Sequence, residues 1–249
     1  EAAGLPRPQA NSTLSGCRIA LWRSHDVSPP GREVSEAMTK VAKALEAAGS
    51  IVEELDPPMD PVETYRIYLR FVSPITGSHM SEQQKLNIKN GSAKDSYPSN
   101  MKSPLWEMDM AGVLGVPEGN QEAYENAAKC WEDHLKRNYD AVLSPVFPCD
   151  AWLMASEPDA KIANSSTSAR PIIVDGEERC YGDALFWSHL SVLCGFPSTS
   201  FPVCLSEHGL PVGLQAFSCK GSDFVLLDIV SQLMNLLGSN DLAHPPGFD

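Results

Sequence analysis

The chain has 249 residues, with 19 Lys and Arg against 32 Asp and Glu, a formal charge of −13, and 43% hydrophobic and 20% charged residues. This balance buries a substantial core and excludes wholesale disorder, and so acidic a surface repels phosphate backbones and anionic membranes. The longest basic cluster is Lys136-Arg137 and no apolar run reaches bilayer length, so neither nucleic acid nor membrane is expected as a partner.

Residues 1–16 read as an arm or linker, rich in Pro, Ala, Ser and Asn. Cys17 to Trp22 has the character of a short strand, and Pro29-Pro30-Gly31 then breaks the chain. Val34, Met38, Val41, Leu45 and Ala48 follow at helical spacing, Gly49 marks the stop, and Ser50 to Leu55 returns as a strand. A right-handed βαβ unit is therefore expected over 17–55. The spacing predicts a helical excursion over 61–138: a helix from Pro61 to Pro74, a polar stretch with weak helical character near Ser81 to Ile88, a short helix over 105–114, and an amphipathic helix from Gln121 to Arg137. Tyr139 to Pro145 reads as a buried strand, and residues 146–181 as mostly loop. A helix from Asp183 to Cys194 follows, with Leu185, Phe186, Leu190 and Leu193 inward and Gly195 as its stop. Strands over Ser198–Val203 and Val212–Phe217, a helix over Phe224–Leu237 ended by Gly238, and a surface tail over 239–249 complete the chain.

The seven cysteines are scattered and form no C-x-x-C pair, which suits free thiols in a reducing cytosol. The sequons at Asn11, Asn90 and Asn164 leave secretion open beside a cytoplasmic location. No phosphate loop, dinucleotide fingerprint, H-E-x-x-H or G-x-S-x-G element is present, and the six histidines lack metal-ligand spacing, so no metal or cofactor is expected. His189 and Cys194, with Asp183 nearby, suggest a thiol hydrolase, but residues five apart on a helix point about 140° away from each other. A core thiol beside a half-exposed His189 is the plainer reading. Ser144-Pro-Val-Phe-Pro-Cys-Asp150 is more informative: two prolines after a strand make a rigid loop where ligands of α/β sheets sit, or simply a stiff surface turn.

Several segments taken together resemble one family. They are Gly16-Cys-Arg-Ile-Ala-Leu21, Leu45 to Leu55, Tyr139-Asp-Ala-Val-Leu-Ser-Pro with Pro148, the helix bearing Trp187, Gly195-Phe-Pro, Phe201-Pro-Val, Gly209-Leu-Pro-Val-Gly-Leu-Gln215 and Gly221-Ser-Asp-Phe224. Their order resembles the C-terminal portion of amidase-signature hydrolases. The match covers most of residues 16–238 and is weakest over 75–115.

The resemblance implies an α/β fold with a mixed sheet flanked by helices. It also implies hydrolysis of a carboxylic amide through a Ser–cis-Ser–Lys relay. The family's Gly/Ser-rich loop and lysine-bearing strand precede the portion matched here and are not found in this sequence. Ser198-Thr-Ser200 lacks the flanking glycines, so no catalytic residue is carried over. The role left to this chain is to shape the pocket for a small-molecule amide, with Phe147, Cys149, Asp150, Trp152, Trp187 and Leu190 as candidate wall residues on loop or helix ends. The chain opens on Glu1, so it is expected to be a processed or excised piece that is inactive alone. Its expected partner is the missing N-terminal amidase segment or a second copy. The rival reading is a non-catalytic, amidase-like protein that serves in binding or assembly.

Overall fold

The computed structural model describes residues 13–89, 121–150, 171–180, 184–239 and 242. Strand β1 (Arg18–Leu21) leads into helix α1 (Arg32–Ala47) and strand β2 (Ile51–Glu54). β1 and β2 pair in parallel, Ile19 opposite Val52, which makes the strand–helix–strand step expected over 17–55. α1 buries Val34, Ala37, Met38, Val41, Ala42 and Leu45, the stripe visible in the sequence. The chain leaves it through Gly49 at φ 86°, a left-handed position that glycine adopts without strain.

Helix α2 (Pro61–Ser78) begins with proline in its first turn, and the Asp60 carboxylate accepts the Val62 N–H at 2.9 Å. It continues through Pro74 instead of stopping there. An interior proline removes one helical hydrogen bond and crowds the carbonyl four residues before it, and packing of Tyr65, Tyr68 and Leu69 fixes the preceding turns. Helix α3 (Glu82–Lys89) follows. Helix α4 (Gln121–Asn138) buries Ala127, Ala128, Trp131 and Leu135. The helix expected over 105–114, Trp152 and the three sequon asparagines lie outside the described residues.

Strand β3 (Ala141–Pro145) is buried at every position, as a central strand covered on both faces must be. The segment expected to be loop contains a hairpin, β4 (Pro171–Val174) and β5 (Glu177–Cys180). Its two-residue turn is Asp175-Gly176, with φ values of 52° and 83°; tight hairpins demand positive φ at both positions, and Asp-Gly supplies it. A 3-10 turn, Leu185–Ser188, continues into helix α5 (His189–Cys194), which ends at Gly195 with φ 63°. Leu185 is exposed and Trp187 buried, the reverse of part of the expected inward set, because the tighter 3-10 turn rotates these side chains relative to an α-helix. Strands β6 (Ser198–Leu205) and β7 (Pro211–Phe217) and helix α6 (Asp223–Leu237) complete the order.

The main sheet runs β2-β1-β3-β7-β6. β1, β2 and β3 are parallel, β7 is antiparallel to β3, and β6 is antiparallel to β7, so the sheet is mixed as the sequence implied. Alternation along the strands splits the core. Ile19, Leu21 and Leu143 face α1 and α6, whereas Ala20, Trp22 and Val142 face α2, α4 and α5. No described helix is long and apolar enough to cross a membrane.

Candidate functional site

β1 and β3 are parallel, so their carboxyl ends open at one end of the sheet. β7 enters antiparallel at that end, with Leu214 opposite Pro145, and brings the β6–β7 turn alongside. A cleft of about 710 Å³ lies there. Gly31 to Val34 at the start of α1, Cys149 and Asp150 beyond β3, Ile173, Asp175 and Gly176 of the hairpin, and Glu207, His208 and Leu210 of the turn line it.

Four separate chain segments are tied together around this cleft. The Gly31 N–H donates to the Pro148 carbonyl at 2.7 Å. The Arg32 N–H lies 3.1 and 3.0 Å from the two Asp175 carboxylate oxygens, so the hairpin caps α1 with a negative charge at its positive end. A β-carbon on Gly31 would stand 3.0 Å from Asp175 Oδ1 and 3.2 Å from the Pro148 oxygen, a closeness that only glycine allows. The Arg32 guanidinium reaches Glu207 at 3.3 Å, and the Glu207 N–H donates to Glu33 at 2.8 Å. Carboxylates thus outnumber arginine on the described lining.

Behind the cleft sits Gln215, 5% exposed. Its Nε2 faces Ser144 Oγ at 3.0 Å, the Pro145 carbonyl at 3.1 Å and the Trp187 carbonyl at 2.5 Å. Trp187 in turn donates from Nε1 to the Ser28 carbonyl at 3.0 Å. The carboxyl end of β3, from which the loop departs, is therefore held by the β7 side chain.

The wall candidates separate into two groups. Cys149 and Asp150 line the cleft. Phe147 packs with Cys149 against Ile172, Val174 and Ala184 directly under it. Burial, helped by the Asp150 charge, pushes the Cys149 thiol up to about 12, so it remains protonated and is a wall, not a nucleophile. Asp150 Oδ2 is enclosed without a hydrogen-bond partner among the described residues. Trp187 and Leu190 do not reach the cleft: they are 1% and 0% exposed within the aromatic core, drawn in by the 3-10 turn and the rings around them.

The thiol-hydrolase reading fails on the same grounds. His189 is fully buried, not half-exposed. Its Nδ1 contacts the Phe186 carbonyl, and Tyr65 and Trp22 rings pack about it. Burial lowers its pKa to about 4 and raises that of Cys194 to about 12, which leaves both groups neutral. Among the described residues, Lys40, Lys43, Lys129, Lys136 and Lys220 are exposed and Lys85 pairs with Glu82, so none of these is a lysine made neutral by burial. No group of three or more metal-ligating side chains occurs among the described residues. Arg32, Glu33, Asp175, Glu207 and Gln215 escape the sequence reading as site residues. Only Asp175-Gly176 carries a local signal, that of a tight hairpin turn.

Residues 4–227 match the Amidase family model. The chain is 26% identical over 220 residues to a glutamyl-tRNA(Gln) amidotransferase subunit from Streptococcus mutans, covering 81% of this chain and 41% of that protein. It is 26% identical over 238 residues to indoleacetamide hydrolase of Allorhizobium ampelinum, covering 89% and 47%. It therefore spans less than half the length of these curated relatives. A bacterial aryl acylamidase of the amidase-signature family superposes with a TM-score of 0.61 at 19% identity, over 90% of this chain and 44% of that structure. The corresponding glutamyl-tRNA(Gln) amidotransferase component from Thermotoga maritima superposes with a TM-score of 0.57 at 16% identity, over 90% and 43%. The mixed sheet with its helical layers and the match along nearly the whole sequence agree, and the chain belongs to the amidase-signature family.

Proposed function

We propose that this chain is the C-terminal portion of an amide hydrolase whose Ser–cis-Ser–Lys triad lies in a segment outside these 249 residues. The observation that carries this reading is one of proportion: the family match runs over residues 4–227, while the aligned part is 41% of the length of a curated relative. In the proposed reaction a desolvated lysine takes a proton through the bridging serine as the nucleophilic serine attacks the amide carbon. The C–N bond then breaks as the proton passes to the departing amine, and water releases the acyl group.

The residues of this chain contribute shape and charge. Phe147, Cys149 and Asp150 form the wall beyond β3, whose last two residues Gln215 holds, and Arg32, Glu33, Asp175 and Glu207 form the opposite rim. Substrate positioning by so tethered a wall favours reaction through orientation. The partner is the polypeptide segment that bears the triad, and the substrate is a small carboxylic amide. The free thiols of Cys17, Cys130, Cys149, Cys194, Cys204 and Cys219 suit a reducing cytosol.

The test is an assay of the purified chain with a simple aryl amide. No turnover is expected. Turnover that a serine-directed inhibitor abolishes would show a triad within the chain and end this reading.

A further inference from the structure

The described lining of the cleft carries the carboxylates of Glu33, Asp150, Asp175 and Glu207 against the guanidinium of Arg32. All but one of these carboxylates are answered within the protein. Asp175 sits on the amino end of α1 and takes the Arg32 N–H at 3.1 and 3.0 Å. Glu207 holds the Arg32 guanidinium at 3.3 Å, and Glu33, in the first turn of α1, accepts the Glu207 N–H at 2.8 Å. Asp150 is the exception. Its Oδ2 is enclosed without a hydrogen-bond partner, and no cation pairs with the side chain among the described residues. The charge is felt next door, where burial and then this carboxylate raise the Cys149 thiol.

The same accounting disfavours an anionic substrate. A helix amino terminus is a natural seat for an anion, but Asp175 already occupies that of α1. Arg32 is engaged twice, by Glu207 and by Glu36 at 3.6 Å. Residues 151–170, which follow Asp150 in sequence, hold Glu157 and Asp159 against Lys161 and Arg170 and so leave the balance of charge unchanged. The wall that carries Asp150 is fixed before a substrate arrives. The Pro148 carbonyl accepts the Gly31 N–H at 2.7 Å, and Phe147 and Cys149 pack on the hairpin. A half-buried carboxylate left uncompensated on a rigid wall is best met by a cation that the substrate brings.

We infer that Asp150 is a specificity-determining residue and that the cleft takes amides bearing a positively charged amine or guanidine, seated against its carboxylate. This deepens the proposed amide-hydrolase reading and rests on it. The cleft of about 710 Å³ has room for such a group beside the amide. The ion pair forms equally in the ground state and the transition state, so it selects the substrate without joining the bond-breaking step.

The test assays the protein expressed from its own gene on δ-aminovaleryl, hexanoyl and glutaryl para-nitroanilides, with shorter and longer homologues of each. These acyl chains end in an ammonium, a methyl and a carboxylate at matched positions. The ammonium amide is expected to lead in kcat/KM by about tenfold or more, through KM, with the carboxylate amide last. Asp150→Asn should bring the ammonium and methyl amides close to parity. Asp150→Lys should favour the glutaryl amide, a gain that misfolding does not imitate. Equal rates, or a lead for the methyl or carboxylate amide, overturn the inference and leave the amide hydrolase standing. An ammonium preference that survives Asp150→Asn overturns the assignment to Asp150. Absence of turnover with every one of these amides overturns both readings.

Discussion

Under α1 and α6 the sheet is covered by Val34, Met38, Leu45, Leu226, Ile229 and Leu233, an aliphatic layer, whereas its other face meets α2, α4 and α5 through Trp22, Trp131, Trp187, Phe186, Tyr65 and Tyr68. Polar groups are threaded through the aromatic layer. Trp131 donates to Thr64 Oγ1 at 3.1 Å, Trp187 to the Ser28 carbonyl at 3.0 Å, and His189 lies among the rings. Gln215 joins that layer to the carboxyl end of β3. Aliphatic packing tolerates exchange of shape provided volume is kept, whereas rings with hydrogen-bonding handles fix positions. The aromatic face therefore sets the geometry of the cleft wall, and the aliphatic face supplies general support.

Four measurements would break or sharpen this contrast. Trp187→Ala should have the largest effect, about 3–5 kcal/mol of stability in urea unfolding, through a cavity and the loss of the link to Ser28. Acid comes next. His189 is held near 4 by burial against an ordinary value of 6.5, so the folded state resists its protonation. Stability should fall as pH drops below 6.5 and level off below about 4, by up to about 3 kcal/mol. His189→Phe should flatten that part of the profile. Gln215→Leu should cost about 1–3 kcal/mol by removing the amide donor shared by the Pro145 and Trp187 carbonyls. It should also speed hydrogen exchange at the carboxyl end of β3 and around Trp187. Leu233→Met, on the aliphatic side, should cost less than about 1.5 kcal/mol. A larger loss there than for Gln215→Leu would remove the distinction.

The elements of the sheet are legible in the sequence because their signals are local. α1 shows its buried stripe, β3 reads as a continuous apolar run, and Gly49, Gly195 and Gly238 mark the ends of helices. The β4–β5 hairpin escapes notice although Asp175-Gly176 announces its turn, since the flanking Pro-Ile-Ile-Val and Glu-Glu-Arg-Cys segments differ in character. The cleft is legible only in part. Cys149 and Asp150 follow a strand and can be inferred. Arg32, Asp175 and Glu207 come together from positions far apart in sequence, and no spacing rule unites them. For Trp187 and Leu190 the sequence suggests a helix end facing the cleft, which a 3-10 turn converts to an interior position.

The Arg18 amide and the Asp140 carboxylate meet at 2.8 Å across 122 positions of sequence, beside the ladder that joins β1 to β3. Closing a loop of that length costs on the order of 4 kcal/mol of chain entropy beyond a fixed term. The strand–helix–strand segment and the β6–β7 hairpin assemble from neighbours, so each can form before that closure. Refolding should therefore be timed by the joining of two preassembled pieces, with the β3 margin bare until they meet and most prone to mispairing in that interval.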